Sequence, residues 1–222
     1  MTIPFDAPPG THLTIVRHGE TLWNREKRWQ GSQDIPLSDL GREQGTALAK
    51  RLRDTRFDHI YASDLSRAAE TAELIVAQNH AVPIQYRAAL QEVKMGPFEG
   101  LVVDEVMARY ATEFQRRVQS DDPADFDFAL PGMESRNTFN ARASQAVQAC
   151  AAAHPGERVL VVCHGGVIRS FFAAALGLAW SVGRQVDIPN CAYNALRADR
   201  GRWRLITWGD VGHLGELVTR AA

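Results

Sequence analysis

The chain is sparing with cysteine, three in 222 residues, too few for a disulfide framework. Cys150 falls in an alanine-rich helical stretch and Cys163 closes an apolar run, which reads as reduced core thiols and a cytoplasmic location. Formal charge is nearly balanced at −1 and no basic block stands out. Nothing would draw in a polyanionic backbone, so nucleic acid is not expected as a partner. No apolar run approaches the ~20 residues needed to span a bilayer, so no membrane partner is expected either. The first ten residues lack the basic start and apolar core of a secretory signal. The sequence shows no internal repeat and no low-complexity tract.

What remains is an ordinary globular composition, 45% hydrophobic and 23% charged. The length suits one α/β domain over residues 1–222. The organising stretch is Leu13-Thr14-Ile15-Val16-Arg17-His18-Gly19. Its four apolar or β-branched residues predict a short buried strand, which stops on an arginine, a histidine and a glycine. The same grammar recurs at Val159-Leu160-Val161-Val162-Cys163, an unbroken run as in a parallel strand covered on both faces, followed by His164-Gly165-Gly166. A looser copy, Ile60-Tyr61-Ala62, leads through Ser63-Asp64-Leu65-Ser66 to Arg67. Each strand end delivers a cation or an imidazole to the edge where open α/β sheets bind ligands.

Around these points strands and helices alternate. Residues 1–11 predict an extended lead-in, and Gly19 to about Leu37 a long loop holding two tryptophans. Ser38 can cap a helix whose apolar face is Leu40, Ala47, Leu48 and Leu52. A strand over Phe57–Ala62 precedes a helix striped by Leu65, Ala68, Ala72, Ile75 and Val76. Arg67 lies off that stripe, in a first turn where the helix dipole disfavours a cation. It reads as a solvated arginine or as an anion ligand. A strand at Val82–Tyr86 follows. From about residue 90 to 140 the rhythm breaks. Val103, Val106, Met107, Tyr110, Phe114 and Val118 form an amphipathic helix, and Asp121, Asp122, Asp125 and Asp127 occupy a loop without metal-ligand spacing. This stretch is expected to be a helical cap inserted over the strand ends. A helix over Ser135–Ala153, the Val159 strand and a helix over Val167–Leu178 come next. Strands near Gln185–Ile188, Ala192–Ala198 and Trp203–Trp208 complete a three-layer α/β/α sandwich with a mostly parallel sheet.

Five segments carry a resemblance. Arg17-His18-Gly19-Glu20-Thr21, Ser63-Asp64-Leu65-Ser66-Arg67-Ala68, Glu92 ahead of Gly96-Pro97-Phe98-Glu99-Gly100, Pro131-Gly132-Met133-Glu134-Ser135 and His164-Gly165-Gly166 occur in that order. Together they resemble the histidine phosphatase superfamily, and within it the phosphoglycerate-mutase-like branch, over residues 13 to 213. The resemblance implies a phosphomonoesterase acting on small phosphorylated metabolites through a phosphohistidine on His18, with no cofactor and no metal. It nominates Glu92 as proton donor, with Glu99 as rival, and Asn24, Gln30 and Gly31 as positions lining the phosphate. His213 matches a family-like tail and is expected to tie down the C-terminus. His12, His59, His80 and His154 carry no motif and read as structural.

The chemistry agrees with the residue types. Arginine meets phosphoryl oxygens bidentately, as Arg17 and Arg67 could. A neutral imidazole can attack phosphorus, which splits hydrolysis into two displacements. Its second nitrogen must then be held by an acceptor, expected in a backbone carbonyl of the Gly19 turn. His164 would serve as a cationic or donor contact to the transferring oxygens, and Gly165 would offer a backbone N–H at a helix start. A Glu92 carboxyl facing apolar residues and a phosphate would stay protonated near neutrality. Three alternatives remain open. One is a phosphoglycerate mutase on the same site, although Glu92-Val93-Lys94-Met95-Gly96 lacks the arginine and tyrosine that mutases place there. Another is a cysteine phosphatase, since Cys163 and Arg169 fit Cys-x5-Arg. The third is a catalytically silent module that binds phospho-ligands. The physiological substrate and the oligomeric state, a homodimer included, are left open.

Overall fold

A computed structural model describes residues 7, 10–78, 81–179, 182 and 185–219. Its frame is a six-stranded sheet in the order β3-β2-β4-β1-β5-β6. The strands are β1 (His12–Arg17), β2 (His59–Ala62), β3 (Ile84–Tyr86), β4 (Arg158–Cys163), β5 (Tyr193–Asp199) and β6 (Arg202–Asp210). β3, β2, β4 and β1 run parallel, and β5 and β6 add an antiparallel margin. Continuous apolar runs take the centre because both faces are covered there. Leu13, Ile15 and Val16 of β1 and Val159 to Val162 of β4 are all buried.

Helices α2 (Asp39–Leu52) and α3 (Ser66–Val76) cover one face, packing Leu48, Leu52, Ala72 and Ile75 on Val16, Ile60 and Val162. Helices α5 (Arg136–Ala152) and α6 (Gly165–Leu176) cover the other, where Phe139, Val147 and Phe171 meet Ile15 and Val161. Helix starts follow local chemistry: the Ser38 hydroxyl accepts from Gly41 N–H at 3.0 Å, and the Ser135 hydroxyl from Thr138 N–H at 3.2 Å. The chain leaves β1 towards α2 on one face and leaves β4 towards α6 on the other. A crevice therefore opens between the carboxyl ends of these neighbouring strands, the place where doubly wound sheets bind ligands.

The expected helical cap borders that crevice. It contains helix α4 (Val103–Phe114), which runs on into a wider π-type turn over Gln115–Gln119. Met95, Phe98, Val106, Phe114 and Met133 form a separate small core, with Trp29 of the long loop packed against it. The loop aspartates act locally. Asp122 accepts from Ala124 N–H, Asp125 pairs with Arg116 at 2.6 Å, and Asp127 accepts from Asn137. No helix among the described residues is long and apolar enough to cross a membrane.

Several expected boundaries shift. Gln185–Ile188 is not a strand: the free edge of β1 is taken by β5, and the Ile188 carbonyl accepts instead from the Arg17 guanidinium at 2.6 Å. The helix after β4 begins at Gly165, with His164 at its cap position, and ends at Leu176 before Gly177 in the left-handed region (φ 65). The loop after Gly19 contains a short helix, α1 (Leu22–Arg25), closed by reciprocal hydrogen bonds between Thr21 and Asn24. Residues 1–6 of the expected lead-in, and His80, lie outside the described residues.

Candidate active site

The carboxyl ends of β1, β2 and β4 meet in a cleft of about 990 Å³. His18, the first residue past β1, continues the sheet by donating its N–H to the Cys163 carbonyl at 3.0 Å. Its Nδ1 lies 2.7 Å from the Gly19 carbonyl. A carbonyl can only accept, so Nδ1 carries the proton and Nε2 keeps the lone pair. Burial pushes the ring's pKa well below its ordinary value, and the Arg67 and Arg17 charges push it further down. The imidazole is neutral, with its tautomer fixed by the turn in which it sits.

His164 follows directly on the neighbouring strand β4, its ring centroid 5.1 Å from that of His18 and tilted by 58°. Its Nε2 is paired with the Ser63 hydroxyl at 2.9 Å. Burial, then Arg67, His18 and Arg17, lower its pKa well below the ordinary value. The cationic form is therefore disfavoured in this structure, and the donor role is the one compatible with it.

Arg67 is fully buried, not solvated. It donates to the carbonyls of Gln33 at 2.6 Å and Gly31 at 2.9 Å, which fastens the long loop to α3. Burial lowers its pKa to about 10, as it does for Arg17, where the Arg169 charge adds to the effect. Both guanidiniums remain charged at neutral pH. The buried Nε atoms of Arg17 and Arg67 and Nδ1 of His164 have no hydrogen-bond partner among the described residues. Buried donors left unpaired are costly. An oxyanion in the cleft would satisfy them.

Glu92 also lines the cleft. Its carboxylate accepts from the N–H groups of Val93 at 2.9 Å and Gly166 at 2.8 Å, and so sits on the first turn of α6. Gly166 makes the approach possible, since a Cβ there would collide with Glu92 Oε1. Arg142 grips the backbone carbonyls of Ala89 and Gln91 while pairing with Glu134 at 2.7 Å, which holds the Glu92 segment in place. Glu99, the rival, is engaged elsewhere: its carboxylate accepts from Ser32 N–H and Met95 N–H, both at 2.9 Å, and from Gln33 at 2.7 Å.

Asn24, Gln30, Gly31 and Gly165 border the cleft as well. Asn24 Oδ1 is committed to the Thr21 N–H, at 3.1 Å, and Gly31 presents its carbonyl to Arg67. Cys163 points away, fully buried among the apolar side chains on the α5/α6 face, and burial pushes its thiol pKa upward. A thiol so placed is no nucleophile for a ligand in the cleft. Asn190 had no signal beyond following Pro189, where it reads as a turn residue. It is buried, and its amide donates to the His18 carbonyl at 3.0 Å and to Asn24 Oδ1 at 3.3 Å. His213 caps the Cys191 carbonyl at 3.1 Å from the C-terminal side, outside the cleft.

A pair of neutral imidazoles flanked by the buried Arg67 and the half-buried Arg17, at the carboxyl edge of a mostly parallel sheet, is an α/β site built for a phosphoryl group. The chain belongs to the histidine phosphatase superfamily (branch 1), whose family model matches residues 13–211. It is 38% identical over 207 residues to phosphoglycerate mutase-like protein 4 of Arabidopsis thaliana, covering 92% of this chain and 87% of that protein. Among solved structures, Bacillus stearothermophilus YhfR superposes with a TM-score of 0.83 at 33% identity, over 92% of this chain and 99% of that one. A mycobacterial glucosyl-3-phosphoglycerate phosphatase in complex with VO3 superposes with a TM-score of 0.76 at 30% identity, over 89% and 98% of the two chains.

Proposed function

We propose that this chain is a cytoplasmic, metal-independent phosphomonoesterase that hydrolyses small phosphorylated metabolites through a phosphohistidine on Nε2 of His18. The observation that carries this reading is the neutral His18 ring, its Nδ1–H tied to Gly19, set beside the buried Arg67 and the half-buried Arg17. Nε2 attacks phosphorus, the ester P–O bond breaks, and the Glu92 carboxyl gives its proton to the leaving oxygen. Water then attacks the phosphohistidine, the Glu92 carboxylate takes its proton, the P–N bond breaks, and inorganic phosphate leaves. Arg17, Arg67 and the Nδ1–H of His164 hold the equatorial oxygens as charge spreads over them. Asn24, Gln30, Gly31 and the Gly165 N–H bound the phosphate subsite. Residues 90–140 act as a cap within one domain. The two guanidiniums supply the neutralisation that a divalent ion would otherwise provide, so chelation with EDTA should leave turnover intact and vanadate should inhibit.

The named relatives include a phosphoglycerate mutase-like protein and a glucosyl-3-phosphoglycerate phosphatase. Hydrolysis is favoured by the segment Glu92-Val93-Lys94-Met95-Gly96, which lacks the arginine and tyrosine that mutases place there. Incubation with 3-phosphoglycerate separates the two: hydrolysis releases free phosphate, whereas accumulation of 2-phosphoglycerate would assign a mutase. A screen of phosphorylated metabolites for phosphate release would then rank substrates.

A further inference from the structure

We propose that His59, His154 and Glu157 form a binding site for a zinc-type divalent transition ion at the amino-terminal edge of the sheet. His59 opens β2, and His154 and Glu157 belong to the turn that leads into β4. The two strands are parallel neighbours, with His59 in register with Val159. One ligand atom from each side chain falls within a group whose members all lie within 4.8 Å of one another. His59 Nε2 and His154 Nδ1 both approach the same oxygen, Glu157 Oε2, at 2.9 and 3.2 Å. Bonds of about 2.0–2.2 Å around a tetrahedral zinc place neighbouring ligand atoms ~3.3 Å apart. The two nitrogen-to-oxygen spacings already lie close to that value.

The surroundings resemble the outer shell that metal-binding histidines require. The far nitrogen of His154, Nε2, is paired with the Tyr61 hydroxyl at 2.8 Å, the kind of partner that fixes a ligand's tautomer and ring plane. The backbone is anchored too: the His154 carbonyl accepts from the Thr11 hydroxyl at 3.0 Å, and the Glu157 carbonyl from His12 N–H at 2.9 Å.

The two rings stack with centroids 3.3 Å apart and planes 14° apart, so their lone pairs do not yet converge. Loading requires one ring to turn. His59, whose side chain is 28% exposed at the first position of its strand, is the one with room to do so. Each near nitrogen faces Glu157 Oε2. To hold an ion it must present its lone pair, and the Tyr61 hydroxyl is then the acceptor for the proton on His154 Nε2. Two neutral imidazoles and one carboxylate leave the fourth position to water, and the ion would staple β2 to the turn before β4. A six-residue strand separates this cluster from His164, which at ~3.3 Å per residue is about 20 Å.

The test uses the full chain, stripped of metal and titrated with Zn²⁺ and Co²⁺. The expected result is saturable binding of one Zn²⁺ per chain with a rise in Tm, and a visible Co²⁺ absorption band of tetrahedral intensity. His59→Gln and Glu157→Gln should each weaken binding at least tenfold while leaving the metal-free Tm near that of the parent. Absence of saturable binding to the parent chain would overturn the proposal. So would binding that is undiminished in both variants, because the ion would then reside elsewhere, for instance on His18 and His164.

Discussion

The Nδ1 proton of His18 is donated to the carbonyl of Gly19, the next residue in the chain, at 2.7 Å. A single backbone acceptor thereby sets the tautomer of a ring whose pKa has been driven well below the ordinary range. The acceptor belongs to the turn that carries the ring, so the tautomer does not depend on what occupies the cleft. That turn is itself pinned: a Cβ on Gly19 would collide with the Gly41 carbonyl of α2, so the chain can pass there only without a side chain. Orientation and protonation state both follow from these local contacts.

Replacing His18 with Ala should abolish turnover and the acid-labile labelling of the chain by radioactive substrate phosphate. The expected loss in kcat is on the order of 10³-fold or more, since the neighbouring His164 has its lone-pair nitrogen Nε2 paired with the Ser63 hydroxyl and turns a donor to the cleft. His164→Ala should also slow turnover yet still permit labelling at His18. Labelling that survives in the His18 variant would place the nucleophile elsewhere.

Glu92→Gln tests the proton donor through the leaving group. General acid catalysis contributes about 10²–10⁴-fold, and most where the departing oxygen is a poor leaving group. Hydrolysis of an alkyl phosphate should fall by that amount, whereas p-nitrophenyl phosphate, whose leaving group needs little protonation, should lose far less in the phosphorylation step. Equal losses on both substrates would mean that Glu92 acts by holding α6 in place.

Much of this cleft was legible because Arg17, His18 and His164 stand where hydrophobic runs close. β1 and β4 read as buried strands, and Arg17, His18 and His164 follow from where those runs stop. Arg67 was marked by its conflict with the helix dipole, and the structure resolves that conflict by giving its guanidinium the carbonyls of Gly31 and Gln33. Asn190 was not legible, since an asparagine after a proline carries no signal of the His18 carbonyl 172 positions away. The false strand at Gln185–Ile188 has a similar origin: alternation was visible, but the occupation of the β1 edge by β5 was not. His59 and His154 read as unrelated residues because parallel pairing of β2 and β4 brings them together over a separation of 95 positions; the count is 154 − 59. Local pattern reports which residues end strands. Which distant residues then meet is set by strand order.

Asn190→Ala should disturb catalysis without touching a substrate. The side chain bridges the His18 carbonyl and Asn24 Oδ1, and its own Oδ1 accepts from the Thr219 hydroxyl at 3.3 Å. Losing a buried partner of this kind costs about 1–3 kcal/mol of stability. The expected kinetic result is a fall in kcat with a smaller change in KM for p-nitrophenyl phosphate, partly restored in Asn190→Gln if the longer amide reaches the same carbonyl. A loss of stability with kcat unchanged would reduce Asn190 to a packing role.

The two buried imidazoles also fix how stability responds to acid. His18 and His164 have folded-state pKa values well below 6.5 because burial and the neighbouring arginines oppose a further charge. An unfolded chain takes up protons on both rings as pH falls through about 6.5, while the folded chain refuses them. Stability is thus fully present above about pH 6.5 and declines below it, by up to ~1.4 kcal/mol per pH unit for each ring, until the folded rings titrate. His154 and His213 are shifted in the same direction and steepen the decline. The carboxylates with lowered values, such as Asp210 at about 2, act in a separate and more acidic window. Urea midpoints measured at pH 7.5, 6.5 and 5.5 should therefore stay level across the first interval and drop across the second. The drop should shrink in a His18→Asn, His164→Asn double variant. A midpoint that does not move between pH 6.5 and 5.5 would mean that both rings take up protons in the folded chain as they do in the unfolded one, and the neutral nucleophile would be lost with them.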